Sequence, residues 1–384
     1  MNNFYCAAPW RSLHINARGD VKTCCAGNPN MLGNLSSQGI EEILNGPKLK
    51  EIRSSIRLGQ PHEYCSNCVN RENLGGDSER SWHNSVNESF DYLQAGLDYE
   101  FPTLIDVRWN STCNLSCNYC GPLDSSKWAS LRKIPVATGT RHYYIDVCNF
   151  LEKHYDHIQE VALVGGEPLL LPENNRLLDV IPPDCIVTLI TNLNTPLEKN
   201  PIFQKLAQRQ NVGWSISFEN LKERFEYVRH GASWELMLHN LDIIQGLMKN
   251  NGHWGGIHAV YNLYNATHLC ELTSFAQQQE LYIKWQILNS PNALNIRSFG
   301  NEVAKLAAKE IENLYANFVI DQQDQNMFDS ALQYYRSMTD STTPCMRNKL
   351  KIFVEEIESF HNNSGEFARL WPEFGELLWP QNQH

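Results

Sequence analysis

The sequence predicts an α/β protein: a partial (β/α)6, TIM-like barrel preceded by a small cysteine-rich α+β unit and followed by helices. Three observations lead there. From residue 101 onward, six short apolar runs alternate with stretches of helical periodicity, the pattern of βα units on a parallel sheet. Cys113, Cys117 and Cys120 fall just after the first of those runs. Upstream, Cys6, Cys24, Cys65 and Cys68 flank a hairpin signal and two short helical stretches.

The chain has 384 residues, which allows two or three units unless a barrel takes most of the length. Hydrophobic residues make up 42% and charged residues 20%, suited to a water-soluble protein with a sizeable core. No apolar run is long enough to span a bilayer, and residues 1–10 lack a signal-peptide profile, so a cytoplasmic location without membrane association is expected. The net charge of −11, from 32 basic and 43 acidic residues, argues against nucleic acid as a partner. Twelve cysteines without a secretion signal point to metal ligation or redox work rather than disulfides. Cys148, Cys185 and Cys270 read as small buried hydrophobes, and Cys345 has no matched role.

In chain order, residues 1–80 form the first unit. Residues 12–15 and 21–24 flank Asn16-Ala17-Arg18-Gly19-Asp20, where Gly19 can take positive φ in a hairpin turn. The hairpin brings Cys6 and Cys24 toward one end. Helical stretches follow at 40–44 and 48–58, then Cys65-Ser66-Asn67-Cys68 on a tight turn. Four thiolates suit either a 4Fe–4S cluster or zinc, and Cys25 competes with Cys24 as a ligand. Residues 81–100 are assigned to a linker because the stretch around them is polar and begins with Gly75-Gly76.

The barrel is placed at 101–300, with strands at 104–109, 160–164, 186–190, 213–218, 256–261 and 282–288. Between the first two, Tyr144, Val147, Leu151, Tyr155 and Ile158 make one apolar helical face. Sites in such folds gather at the carboxyl ends of the strands. There the sequence shows Gly165-Gly166-Glu167-Pro168, then Thr191-Asn192, then Ser215, Ser217 and Glu219 on one face of a strand. Three thiolates can hold three irons of a cubane and leave the fourth open to a ligand, and Glu167 offers a carboxylate to a cationic group. A zinc site is the alternative for the trio, but no histidine lies within ten residues of it. Residues 301–384 carry helical faces at Val303, Leu306, Ile311, Leu314 and Phe318 and at Leu350, Phe353, Ile357 and Phe360. An aromatic tail around Trp371, Phe374 and Trp379 is read as packing onto the body, or as a substrate or dimer contact.

The Cys-x3-Cys-x2-Cys trio after a first strand, with Gly-Gly-Glu-Pro after the second, resembles the radical S-adenosylmethionine (SAM) superfamily over about residues 101–290. The resemblance implies that Cys113, Cys117 and Cys120 ligate a 4Fe–4S cluster whose open iron chelates SAM. It places Gly165, Gly166, Glu167 and Pro168 at the methionine amino group, Tyr119 near the adenine, and Thr191 and Asn192 near the ribose and methionine. Ser215 is a weaker match, and Arg229 is a candidate for the SAM carboxylate or else a surface ion pair. The Gly-x-Ile-x-Gly-x-x-Glu adenine motif of some members is absent. The spacing Cys6-x12-Gly19-x4-Cys24, followed by Cys65-x2-Cys68, is similar to the auxiliary-cluster modules called SPASM and twitch. That match selects Cys24 over Cys25 and implies a second 4Fe–4S cluster, although family members usually carry the module after the catalytic domain. The activity implied is reductive cleavage of SAM to a 5′-deoxyadenosyl radical that abstracts a hydrogen atom from a peptide or small molecule. The electron would come from a reductant such as flavodoxin or ferredoxin. No side chain is assigned as general acid or base. A non-catalytic iron–sulfur or zinc protein serving electron transfer or regulation is the alternative, and the Glu167 motif speaks against it.

Overall fold

A computed structural model describes residues 4–27, 32–73, 78–98, 101–135, 143–298, 300–338 and 343–380. Its centre is one nine-stranded sheet. The strands in chain order are β1 Ser12–Ile15, β2 Asp20–Lys22, β3 Gly33–Asn34, β4 Leu104–Val107, β5 Glu160–Leu163, β6 Ile186–Thr191, β7 Val212–Ser217, β8 Trp254–Tyr261 and β9 Tyr282–Ile287. They lie in the order β3-β2-β1-β4-β5-β6-β7-β8-β9. Strands β4 to β9 are all parallel, each joined to the next by a helical crossover, so the six expected barrel strands are present in the expected order.

Alternation along β6 separates a helix-covered face from an open one. On β6, Val187, Leu189 and Thr191 are buried, while Ile186 and Ile190 are exposed on the other face. The helix Tyr143–Lys153 covers the sheet through Tyr143, Val147, Phe150 and Leu151. It ends earlier than its periodicity suggested. Tyr155 lies in a separate 3-10 turn, Tyr155–His157, and is exposed.

The first unit is not a separate sheet. Strand β1 runs parallel to β4 with all four residues paired, Ser12 with Leu104 through Ile15 with Val107. Strands β1 and β2 form the expected antiparallel hairpin, with Gly19 at φ 79° in its turn. The apolar residues of β1, Leu13 and Ile15, share one core with Ile105 and Val107 of β4.

Residues 81–98 are largely exposed but docked on the N-terminal segment rather than running free. The helix Glu79–Ser85 begins with a capping box between Ser78 and Ser81. Asn84 accepts from the Ala7 N–H at 3.0 Å and donates to the Tyr5 carbonyl at 3.0 Å. Trp10 Nε1 donates to Gly96 O at 2.8 Å. Asn84 satisfies backbone groups of the N-terminal segment, while most of the other polar residues of the stretch stay exposed; Gly75 and Gly76 lie outside the described residues.

The C-terminal region is helical: Asn301–Asn317, Gln322–Ser337, Thr343–His361, Glu366–Leu370 and Pro372–Leu378. The aromatic tail packs onto the body. Trp371 and Phe374 are fully buried, and Trp371 Nε1 donates to Tyr264 O at 2.9 Å. Among the described residues, no helix is long and apolar enough to cross a membrane.

Candidate functional site

The trio sits on the loop leaving β4, at the carboxyl end of the sheet. The loop is fixed from several sides. Ser116 N–H donates to His230 O at 3.0 Å and Asn118 N–H to Val228 O at 2.8 Å. Trp128 Nε1 donates to Cys117 O at 2.8 Å, and Ser125 Oγ to Leu115 O at 2.7 Å. Cys117 is buried, while Cys113 and Cys120 are partly open. Burial pushes the Cys117 thiol up to about 12 and raises the other two. Such thiols stay protonated at neutral pH unless a cation replaces the proton, the condition that iron ligation meets.

The loop after β5 is stitched to the trio's approach. Glu167 N–H donates to Thr112 O at 2.8 Å, and Gly166 N–H to Asn110 O at 3.3 Å. A Cβ on Gly166 would lie 2.2 Å from Thr112 O. The glycines were expected to admit a ligand; at Gly166 the close neighbour is the backbone leading into Cys113. Glu167 is fully buried and accepts from Leu169 N–H at 3.1 Å, Thr191 Oγ1 at 2.8 Å and Asn192 N–H at 2.8 Å. An ionised carboxylate has about four acceptor positions, so three donors leave room for one more. Burial raises its pKa to about 7 against the pull of those donors. Pro168 follows as the first residue of a 3-10 turn, Pro168–Leu170, that Glu167 caps.

Thr191 and Asn192 therefore orient Glu167, and Asn192 also reaches the trio. Its Nδ2 donates to Asn114 Oδ1 at 3.0 Å and lies 3.8 Å from Cys113 Sγ. Ser215 is half-buried in β7, paired with Ile190 and Gly256 on the open face of the sheet. Tyr119 is held by its hydroxyl, which donates to Glu219 Oε1 at 2.9 Å.

Arg229 is no surface ion pair. It is buried with Glu219, the two side chains being 6% and 1% exposed. Arg229 Nε and Nη2 donate to the two Glu219 oxygens at 3.2 and 2.6 Å, and Nη1 lies 3.9 Å from Cys117 Sγ. All three guanidinium nitrogens thus face protein groups rather than an open carboxylate site.

Cys6, Cys24, Cys65 and Cys68 line one small pocket with Thr23, Tyr64 and Arg80. Burial pushes Cys24 up to about 12 and Cys65 up to about 11, and neighbouring thiols of the set add to the rise. Four clustered thiolates would repel one another, so this donor set fits a group that supplies positive charge. Among the described residues, no three Cys, His, Asp or Glu side chains are grouped as ligands of one ion. A cubane, in which each thiolate takes a different iron, does not need its ligands to meet at a point. Cys25 is exposed and does not line the pocket.

Sequence reasoning missed several members of these sites. Arg80, a cation at the four-cysteine pocket, is paired with Glu72 through Nε at 2.9 Å. His14 Nδ1 lies 2.7 Å from Asp106 Oδ2 across the β1–β4 ladder. Glu219, expected at a strand end with Ser215 and Ser217, does lie just past the end of β7; what the sequence did not show is its pairing with Arg229.

Residues 6–69 match the family model of SPASM, an iron–sulfur cluster-binding domain. A comparison with curated proteins finds no match. Among solved structures, similar ones include anSMEcpe with bound AdoMet, 16% identical over 56% of this chain and 60% of that one, TM-score 0.41. Streptococcus suis SuiB bound to S-adenosylmethionine is 12% identical over 69% of this chain and 63% of that one, TM-score 0.41. TYW1 with a lysine–pyruvate adduct bound is 14% identical over 55% of this chain and 74% of that one, TM-score 0.33. The chain thus spans about three fifths of the anSMEcpe and SuiB chains.

Proposed function

We propose that this chain is a radical SAM enzyme that carries a second iron–sulfur cluster in its N-terminal SPASM segment. The observation that carries the reading is the junction of two loops: the Gly166–Thr112 contact puts the buried carboxylate of Glu167 one residue, Asn192, away from the Cys113 thiol. A carboxylate with an open acceptor position beside three thiols suits a ligand that is cationic at one end and metal-chelating.

Cys113, Cys117 and Cys120 would hold the first cluster, and Cys6, Cys24, Cys65 and Cys68 the second. The bound cluster supplies the electron for reductive cleavage of S-adenosylmethionine. The chain's own residues do the rest. Glu167 binds the amino group, Asn192 fixes Glu167 against the trio, and Tyr119 offers a ring near Cys117 for the adenine. The buried setting of Cys117, Glu167 and Arg229 excludes water from that corner. A hydrogen atom would then be taken from a peptide or small-molecule substrate on the open face of the sheet, with flavodoxin or ferredoxin as reductant in the cytoplasm. A purely electron-carrying protein would have no use for the Glu167 arrangement.

The test is anaerobic reconstitution, iron counting, reduction and addition of SAM. About eight irons per chain and formation of 5′-deoxyadenosine are expected. A fully loaded, reduced protein that makes no 5′-deoxyadenosine would refute the enzyme reading.

A further inference from the structure

Arg229 occupies an unusual position for a residue expected at a ligand. Two of its nitrogens form a fork on Glu219, and the third corner of the same plane faces the Cys117 sulfur at 3.9 Å. The Tyr119 hydroxyl closes the far side by donating to the same carboxylate, and the guanidinium lies 5.6 Å from the centroid of the Tyr119 ring. Only a planar, multiply donating cation can hold a carboxylate bidentately and still turn a donor to a sulfur. The group is almost fully excluded from solvent, so its charge is poorly screened.

Resting on the proposed function, we propose that Arg229 is a positioning residue that sets the redox potential of the trio, with Glu219 holding it against Cys117. The positive charge lies against the cysteine sulfur, and the compensating negative charge lies on the opposite edge of the guanidinium. The nearer charge wins, because both act through the same low-dielectric surroundings. A fixed cation beside a ligating sulfur favours the reduced state, which gains one negative charge. One electron enters from the external reductant; Arg229 stays protonated, and no proton moves.

The experiment is a dithionite titration of the reconstituted full-length protein, followed by electron paramagnetic resonance. The trio signal is identified as the one that Cys117→Ala abolishes. Glu219→Gln leaves the guanidinium without its counter-charge, so the midpoint potential of that signal should rise. The shift should be about tenfold in the reduction equilibrium, or about 59 mV for one electron. Glu219→Gln with Arg229→Gln should bring it back down, below the single variant. Arg229→Lys keeps the charge but cannot span both partners, and its potential should fall below wild type. Circular dichroism checks folding, and if Glu219→Gln does not fold, Arg229→Lys decides alone. A trio signal whose potential stays within error, or moves the other way, overturns the role of Arg229. Absence of any signal dependent on Cys117 would instead overturn the proposed function.

Discussion

Replacing Gly166 by alanine tests whether the two loops are joined as described. The new Cβ would stand 2.2 Å from Thr112 O, 2.6 Å from Thr112 C and 2.7 Å from Ser111 C, whereas real Cβ contacts essentially never fall below 3.0 Å. The shortfall is at least 3.0 − 2.2 = 0.8 Å, and it falls on backbone, not on a side chain that can swing away. Opening the gap by that much would stretch the 2.8 Å hydrogen bond from Glu167 N–H to Thr112 O out of range. Losing that bond costs about 1 kcal/mol, and overpacking adds about 1–3 kcal/mol. The expected loss is therefore about 2–4 kcal/mol, read as a lower urea midpoint by tryptophan fluorescence. Anaerobic iron loading should fall toward half, because the displaced backbone leads directly into Cys113. Gly246→Ala is the control. It lies inside the helix Trp234–Asn250 with nothing within 4 Å of the added carbon, and should gain about 0.5–1 kcal/mol. If Gly166→Ala unfolds at the wild-type midpoint with full iron, the loops are not in contact and the argument for Glu167 collapses.

Burial raises Glu167 to about 7, so its neutral form is favoured in the folded protein. Its contribution to stability is full below the ordinary carboxyl pKa and is lost as pH rises through about 7. SAM needs the ionised form for its ammonium group, so SAM binding should weaken up to about tenfold per pH unit below 7, and calorimetry should find that dependence gone in Glu167→Gln. Cys24→Ala should lose about half of the bound iron and Cys25→Ala none, because Cys24 lines the four-cysteine pocket and Cys25 does not; equal losses would reverse that assignment. Arg53 is buried and donates to Pro9 O at 3.0 and 2.8 Å, to Leu97 O at 3.2 Å and to Asp98 O at 2.6 Å. Arg53→Met should cost about 2–4 kcal/mol by thermal unfolding, and a neutral outcome would return residues 81–98 to the status of a linker.

What the sequence made legible follows from period and spacing. The six parallel strands came from alternating apolar runs, and their observed starts fall within two residues of the expected ones, as with 256 against Trp254. The hairpin came from Gly19, whose positive φ is a local requirement. The contacts that build the site are long-range and leave no local mark. Gly166 against Thr112 reads as an ordinary Gly-Gly turn until β5 is laid beside β4. Arg229 could be read as a contact for the SAM carboxylate or as a surface ion pair, and only the fold shows it buried against Glu219. The linker assignment at 81–98 missed a contact of the same kind: Asn84, one polar residue of the stretch, has as its partners a carbonyl and an N–H of a segment some 80 residues away in sequence.

The placement of the cysteine-rich segment ahead of the barrel has a structural consequence. Strand β1 follows Cys6 and leads through the hairpin to Cys24, while β4 leads to Cys113. These two strands are neighbours in one parallel ladder along their whole length. Shifting the register by one residue would turn Leu13 and Ile15 out of the core they share with Ile105 and Val107, so slippage is strongly opposed. Cys6 and Cys24, which flank the β1–β2 hairpin, and Cys113, which follows β4, are therefore tied to one stretch of sheet by backbone hydrogen bonds. A tethered domain on a flexible linker would have no such tie. Here, parting β1 from β4 would also part His14 from Asp106, which are paired across that ladder.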